Sequence, residues 1–168
     1  MTPAPEEKPP QNFTEGVPLP YHARFTVEEF ARLQKGSVPE SMDDKWSIRW
    51  KKPHLDFHRS WTGEIVYRIT LKATSEGGEA SEALLARHRL AHVGPNTDYE
   101  AQLLDFLVST LLLGQEKPFP RPSHIPNAVP GLYQHAVAGT GHKEILVQTK
   151  VPQSPHSAKS PKPWWRFW

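Results

Sequence analysis

A chain of 168 residues, 37% of them hydrophobic, is long enough to bury one core and too short for two substantial ones. Its 20 basic and 18 acidic residues leave a net charge of only +2, so no global field of nucleic-acid-binding strength follows from the total. The absence of cysteine excludes disulfide frameworks, thiolate zinc sites and thiol nucleophiles, and it fits a cytoplasmic address.

Taken in chain order, the first segment carries Glu6 and Glu7 and no apolar run, so it does not read as a secretory signal. Pro3, Pro5, Pro9, Pro10, Pro18 and Pro20 remove backbone donors, and residues 1–20 are expected to form a disordered leader before a single domain over 21–151. Thr26 followed by Glu29 is a capping box, and Phe25 with Phe30 occupies the positions of a hydrophobic staple. With Gly36 as the stop, the spacing predicts a helix over 27–35. Trp46, Ile48 and Trp50 then alternate with Lys45, Ser47 and Arg49, the period of a half-buried strand. After a turn at Lys52 and Pro53, Leu55, Phe57 and Trp61 alternate with His54, Asp56, His58 and Ser60. Thr62 and Gly63 turn the chain again, and Ile65, Tyr67, Ile69 and Leu71 continue the pattern. Three strands of an antiparallel meander are expected, rings and aliphatic chains on one face and charges on the other.

Residues 75–80, with Gly77 and Gly78, read as a loop. The segment 82–93 carries helix formers, yet its period-two set Leu84, Ala86, His88, Leu90 and His92 favours a fourth strand. Thr97 and Glu100 look like a second capping box opening an apolar helix that Gly114 closes; Asp105, Ser109 and Thr110 keep this run from reading as a membrane span. Pro118, Pro120, Pro122, Pro126 and Pro130 predict an irregular crossing up to Gly139 and Gly141, and a β-like run at 145–151 offers an edge strand. Residues 152–168 are expected to form a disordered aromatic and cationic tail ending Trp164, Trp165, Arg166, Phe167, Trp168. The expected fold class is α+β: a four- to five-stranded antiparallel sheet packed on its apolar face by the 97–113 helix and assisted by the shorter N-terminal one.

The strings Asp44-Lys45-Trp46 and Phe57-His58-Arg59-Ser60-Trp61-Thr62-Gly63, with the helix from Tyr99, resemble a family of small bacterial proteins of uncharacterised activity. The resemblance spans 43–114 and implies no reaction, ligand or catalytic residue.

Among candidate sites, His58, Arg59, Ser60 and Thr62 are the ligand-binding residues that the sequence favours. An arginine fork, two hydroxyls and turn amides suit a phosphate or carboxylate, although the same residues also make an ordinary turn in which Arg59 pairs with Glu64 or Asp56 and Trp61 caps the core. His54, Asp56 and His58 share a strand face and offer metal ligands, but same-face neighbours stand about 7 Å apart, so no metal and no cofactor are expected. Lys45, Arg49, Lys51, Arg68, Arg87 and Arg89 line up as a basic stripe, yet the tryptophans belong to the opposite face, which argues against a nucleic-acid surface. His92, His124, His135 and His142 have no evident partners. Ser60 lies outside any nucleophile elbow, and no phosphate-binding glycine loop occurs. The reading favoured by these residues is a non-enzymatic binding module that meets a protein partner through its polar sheet face and through Trp164, Trp165, Arg166, Phe167 and Trp168. A small hydrolase or anionic-ligand site at the Phe57–Gly63 stretch and peripheral membrane contact through the tail are the alternatives.

Overall fold

The computed structural model describes residues 9–93, 96–121 and 132–139. Two short strands, β1 (Gly16–Pro18) and β2 (Arg24–Thr26), precede helix α1 (Val27–Lys35) and the long meander β3 (Trp46–Lys51), β4 (His54–Arg59), β5 (Ile65–Thr74) and β6 (Gly77–Ala86). The sheet is antiparallel in the order β1-β6-β5-β4-β3, with β2 on the other half of β6's outer edge. The chain is thus an α+β protein. After β6 come a 3₁₀ turn (Arg87–Arg89), the short α2 (Leu90–Val93), α3 (Thr97–Leu107), which runs on as a π turn over Val108–Leu112, and α4 (Leu132–Ala138).

The alternation read from the sequence sets the core. Trp46, Ile48, Leu55, Phe57, Tyr67, Ile69 and Leu85 are buried on one face, joined there by Leu104, Phe106, Leu107 and Val108 of the α3 segment and by Leu33 of α1. Trp46 stacks on Tyr67 at 5.8 Å, and Phe57 meets Tyr67 edge-on at 6.2 Å, so three neighbouring strands share one aromatic seam. Helix α1 is capped as expected: Thr26 accepts from the Glu29 amide, Glu29 accepts from the Thr26 amide, and Gly36 ends it.

Several expectations are corrected. The leader is not left unpaired throughout: Gly16–Pro18 is zipped to Ala86, Leu85 and Leu84, and Pro18 fits because an edge strand needs no donor on its outer side. The 75–80 loop shrinks to a two-residue turn at Ser75 and Glu76, and Gly77 and Gly78 belong to β6. A Cβ at Gly77 would stand 2.2 Å from the Phe25 carbonyl oxygen, and one at Gly78 would stand 2.3 Å from the Phe30 ring. These glycines let β2 and α1 approach the sheet edge. The fourth strand ends at Ala86, and 87–93 turns helical where the period-two pattern was expected to continue. Asn96, not Thr97, caps α3, its side chain accepting from the Tyr99 amide; Glu100 is free of capping and buried. The helix does not run as one α-helix over 97–113, and a helix, α4, interrupts the crossing that the prolines predicted as irregular. The 145–151 run and the tail lie outside the described residues.

Candidate functional site

The register of the meander sorts the polar face into rows. Lys51, His54, Thr70 and Glu82 stand across from one another, then Arg49, Asp56, Arg68 and Leu84, then Ser47, His58 and Ile65. The last row is reached through a β-bulge that leaves Val66 without an opposite number. This face is not the solvated surface that alternation predicts: Ser47, Asp56 and His58 are all buried. Residues of the leader lie against it. The Gln11 amide donates to the Gly63 carbonyl at 3.0 Å, and the Arg68 guanidinium lies 4.7 Å from the centre of the Phe13 ring.

Between the leader, the C-terminal end of α1 and strands β3 to β5 is a cavity of about 490 Å3. Lys35, Arg49, Lys51 and Arg68 supply its positive charge, and Asp56 is its one carboxylate. Arg68 holds both Asp56 oxygens in a fork, 2.7 Å on each arm, which fixes the guanidinium plane in the floor of the cavity. Arg49 stands opposite Asp56 on the other side, its Nε 3.4 Å from the Ser47 hydroxyl. His58 completes the floor. Its Nδ1 is 3.2 Å from the Gly63 carbonyl, and since a carbonyl only accepts, the hydrogen sits on Nδ1 and leaves Nε2 as the acceptor of a neutral ring. Burial holds the His58 pKa below the ordinary imidazole value, against the opposing pull of the Gly63 bond and of Asp56. With one carboxylate spent on Arg68, the cavity keeps an excess of positive charge.

The structure does not gather His58, Arg59, Ser60 and Thr62 around one pocket. His58 lines the cavity on the polar face. Arg59 points to the opposite face, where its guanidinium lies 4.5 Å from the Trp46 ring centre and donates to the Val137 carbonyl at 3.0 Å, beside the Trp46 indole donating to the same oxygen at 2.8 Å. Ser60 is buried and its hydroxyl donates to the Asp44 carbonyl at 2.5 Å; Thr62 is exposed and accepts from the Glu64 amide. A strand sends successive side chains to opposite faces, which is why neighbours in this string part company. Neither does Trp61 cap the core: it is 53% exposed, its indole donating to the Met42 carbonyl and Lys45 standing over its ring. His54, Asp56 and His58 share their face, but Arg68 occupies the Asp56 carboxylate. Among the described residues no group of three or more His, Asp or Glu is placed to hold a metal ion. His135 lies on α4, whereas His124, His142 and Trp164 to Trp168 lie outside the described residues.

A cluster the sequence did not announce lies under α3. The Tyr67 hydroxyl donates to the buried Glu100 carboxylate, with Arg59 and Arg89 near enough for their charges to act on it. Burial raises the Glu100 pKa more than the Tyr67 bond and the two arginines lower it, and Tyr67 is pushed well up by burial and by Glu100. Arg89 reaches out to Glu64, which also meets His88 at 2.8 Å, so the charges run from the core to the surface. The i, i+3 spacing of Thr97 and Glu100 imitated a cap, and that hid the buried acid.

Comparison with known proteins finds no matching family model, no matching curated protein and no matching solved structure.

Proposed function

We propose that this protein is a non-enzymatic binding module that seats a small anionic ligand in the cavity over β3, β4 and β5. One observation carries the reading: a concave site of about 490 Å3 is lined by Lys35, Arg49, Lys51 and Arg68 against a single carboxylate that is already engaged. The engaged pair matters chemically. Asp56 holds the planar Arg68 guanidinium in one orientation, so an incoming phosphate or carboxylate meets a fixed donor, while Arg49 and Lys51 add charge beside it. The neutral His58 ring accepts a hydrogen bond at Nε2 and suits a ligand that carries a hydroxyl as well as an anion. The anion-binding expectation therefore moves from the turn to the sheet face, with His58 the residue common to both.

Calorimetric titration with citrate at low salt tests this. The wild-type chain is expected to bind, with affinity falling as salt rises, and Arg49→Ala with Lys51→Ala is expected to weaken binding at least about tenfold, the equivalent of about 1.4 kcal/mol. Equal affinity in the double variant sinks the reading. A second reading, contact with a protein partner, draws support from Trp61 and Met42, which are 53% and 48% exposed side by side. A pull-down with the full chain and with Trp61→Ala checks it: equal recovery of partners counts against Trp61.

A further inference from the structure

A second, larger cavity of about 1000 Å3 opens elsewhere on the molecule, between one face of α3, the stretch after β1 and the segment that follows Gly114. Its chemistry is opposite to that of the anion seat. Asp98 and Asp105 project from α3 at helical spacing, Lys117 provides one positive charge, and Phe106 and Phe119 meet edge-on at 5.1 Å in its wall. Inside it the Lys117 ammonium sits 2.5 Å from an Asp105 oxygen, so this carboxylate already receives a primary ammonium supplied by the chain itself.

Tyr21 also lines this cavity. The residue is only 5% exposed and its hydroxyl oxygen has no hydrogen-bond partner, whereas a buried phenol normally finds one. Burial and the nearby Asp105 carboxylate both raise its pKa, so the hydroxyl keeps its proton and its hydrogen-bonding capacity is unused. An unpaired phenol beside a carboxylate in an aromatic-walled cavity leaves hydrogen-bonding capacity that a ligand there can use.

We propose that this cavity is a site for a primary amine with an apolar or aromatic body: the ligand's ammonium replaces Lys117 on Asp105 and engages the Tyr21 hydroxyl, while its body lies against Phe106 and Phe119. Aromatic faces beside carboxylates favour an organic cation over an anion, and the two lining carboxylates outnumber the one lysine. Lys117 acts as a tethered competitor that fills the ammonium position in the free protein.

The probe is benzylamine, titrated into the full chain by calorimetry, with benzoate as the opposite-charge control. Benzylamine is expected to bind and benzoate not to bind. Lys117→Met, which removes the competitor, is expected to tighten benzylamine binding at least threefold, and Asp105→Asn to weaken it at least tenfold. Tyr21→Phe separates a ligand group from a packing group: it is expected to raise the melting temperature of the free chain and to weaken benzylamine binding at least threefold. Benzylamine binding that is absent from the wild type and from Lys117→Met, or that is unchanged in Asp105→Asn, overturns the proposal. So does a Tyr21→Phe chain that loses stability and keeps its affinity.

Discussion

Asp56 and Arg68 hold each other across two strands with side chains only 10% and 21% exposed, and Arg68 has no second carboxylate in its row, which Arg49 and Leu84 complete. Removing Asp56 leaves the Arg68 guanidinium buried without its carboxylate, so Asp56→Ala is expected to cost about 3 kcal/mol in urea unfolding, more than any surface ion pair such as Arg87–Glu15. His58 and Glu100 pull stability in opposite directions with pH. The imidazole pKa is depressed on folding, so the unfolded chain takes up its proton first, and stability falls as pH drops below the ordinary imidazole value of 6.5. The Glu100 pKa is raised on folding, so the folded chain holds the proton more tightly, and stability falls as pH rises from the ordinary carboxyl value through the raised one. Glu100→Gln keeps an acceptor for Tyr67 and removes the charge, and melting curves between pH 4 and 8 are expected to lose that second slope. Persistence of the slope in Glu100→Gln contradicts the assignment. The buried acid could not be read from the sequence, because at three residues after Thr97 it fits the capping pattern equally well; only Asn96 taking the cap releases it.

At the scale of elements, the strands were legible because a period of two survives wherever one face is packed by α3 and α1. Trp46, Ile48, Leu55, Phe57, Tyr67 and Ile69 all lie where alternation puts them. The reading failed at glycines and edges. Gly77 and Gly78 read as a loop because local pattern carries no information about what packs on a strand, and here β2 and Phe30 press against the backbone. That contact predicts a difference between two glycines with positive φ. Gly77→Ala combines φ +140° with carbonyl oxygens of Phe25 and Thr26 at 2.2 and 2.7 Å from the new methyl, and is expected to cost well over about 2 kcal/mol. Gly114→Ala meets nothing within 4 Å at φ +66° and is expected to cost only the conformational term, about 1 kcal/mol. Equal costs in chemical denaturation would show that β2 does not pack on β6 as described. The segment after Ala86 turns helical against its period-two pattern where the ladders run out: β5 pairs β6 no further than Tyr67 opposite Leu85, and on the other edge β1 starts at Gly16 opposite Ala86, with one more bond from the Arg87 amide to the Glu15 carbonyl.

For the molecule as a whole, the leader decides what the polar face is. Read from prolines it is a free arm. In the fold, Phe13 lies on Arg68, the Gln11 amide bonds to Gly63, and β1 is tied to β6, so a face expected to be open becomes the floor of a cavity. The contacts that build it join residues 11–13 to residues 63–68, a separation no local pattern encodes, and for that reason, of His58, Arg59, Ser60 and Thr62, only His58 lies at the site, beside Asp56 of the expected metal set and Arg49, Lys51 and Arg68 of the basic stripe. The direct test is a titration of the full chain with inorganic phosphate, followed at backbone amides by two-dimensional NMR. The largest shifts are expected at residues 47–51, 54–58 and 68–70, saturating together. Shifts that are strongest elsewhere, or that stay below detection at millimolar phosphate and low salt, contradict the anion seat on the sheet.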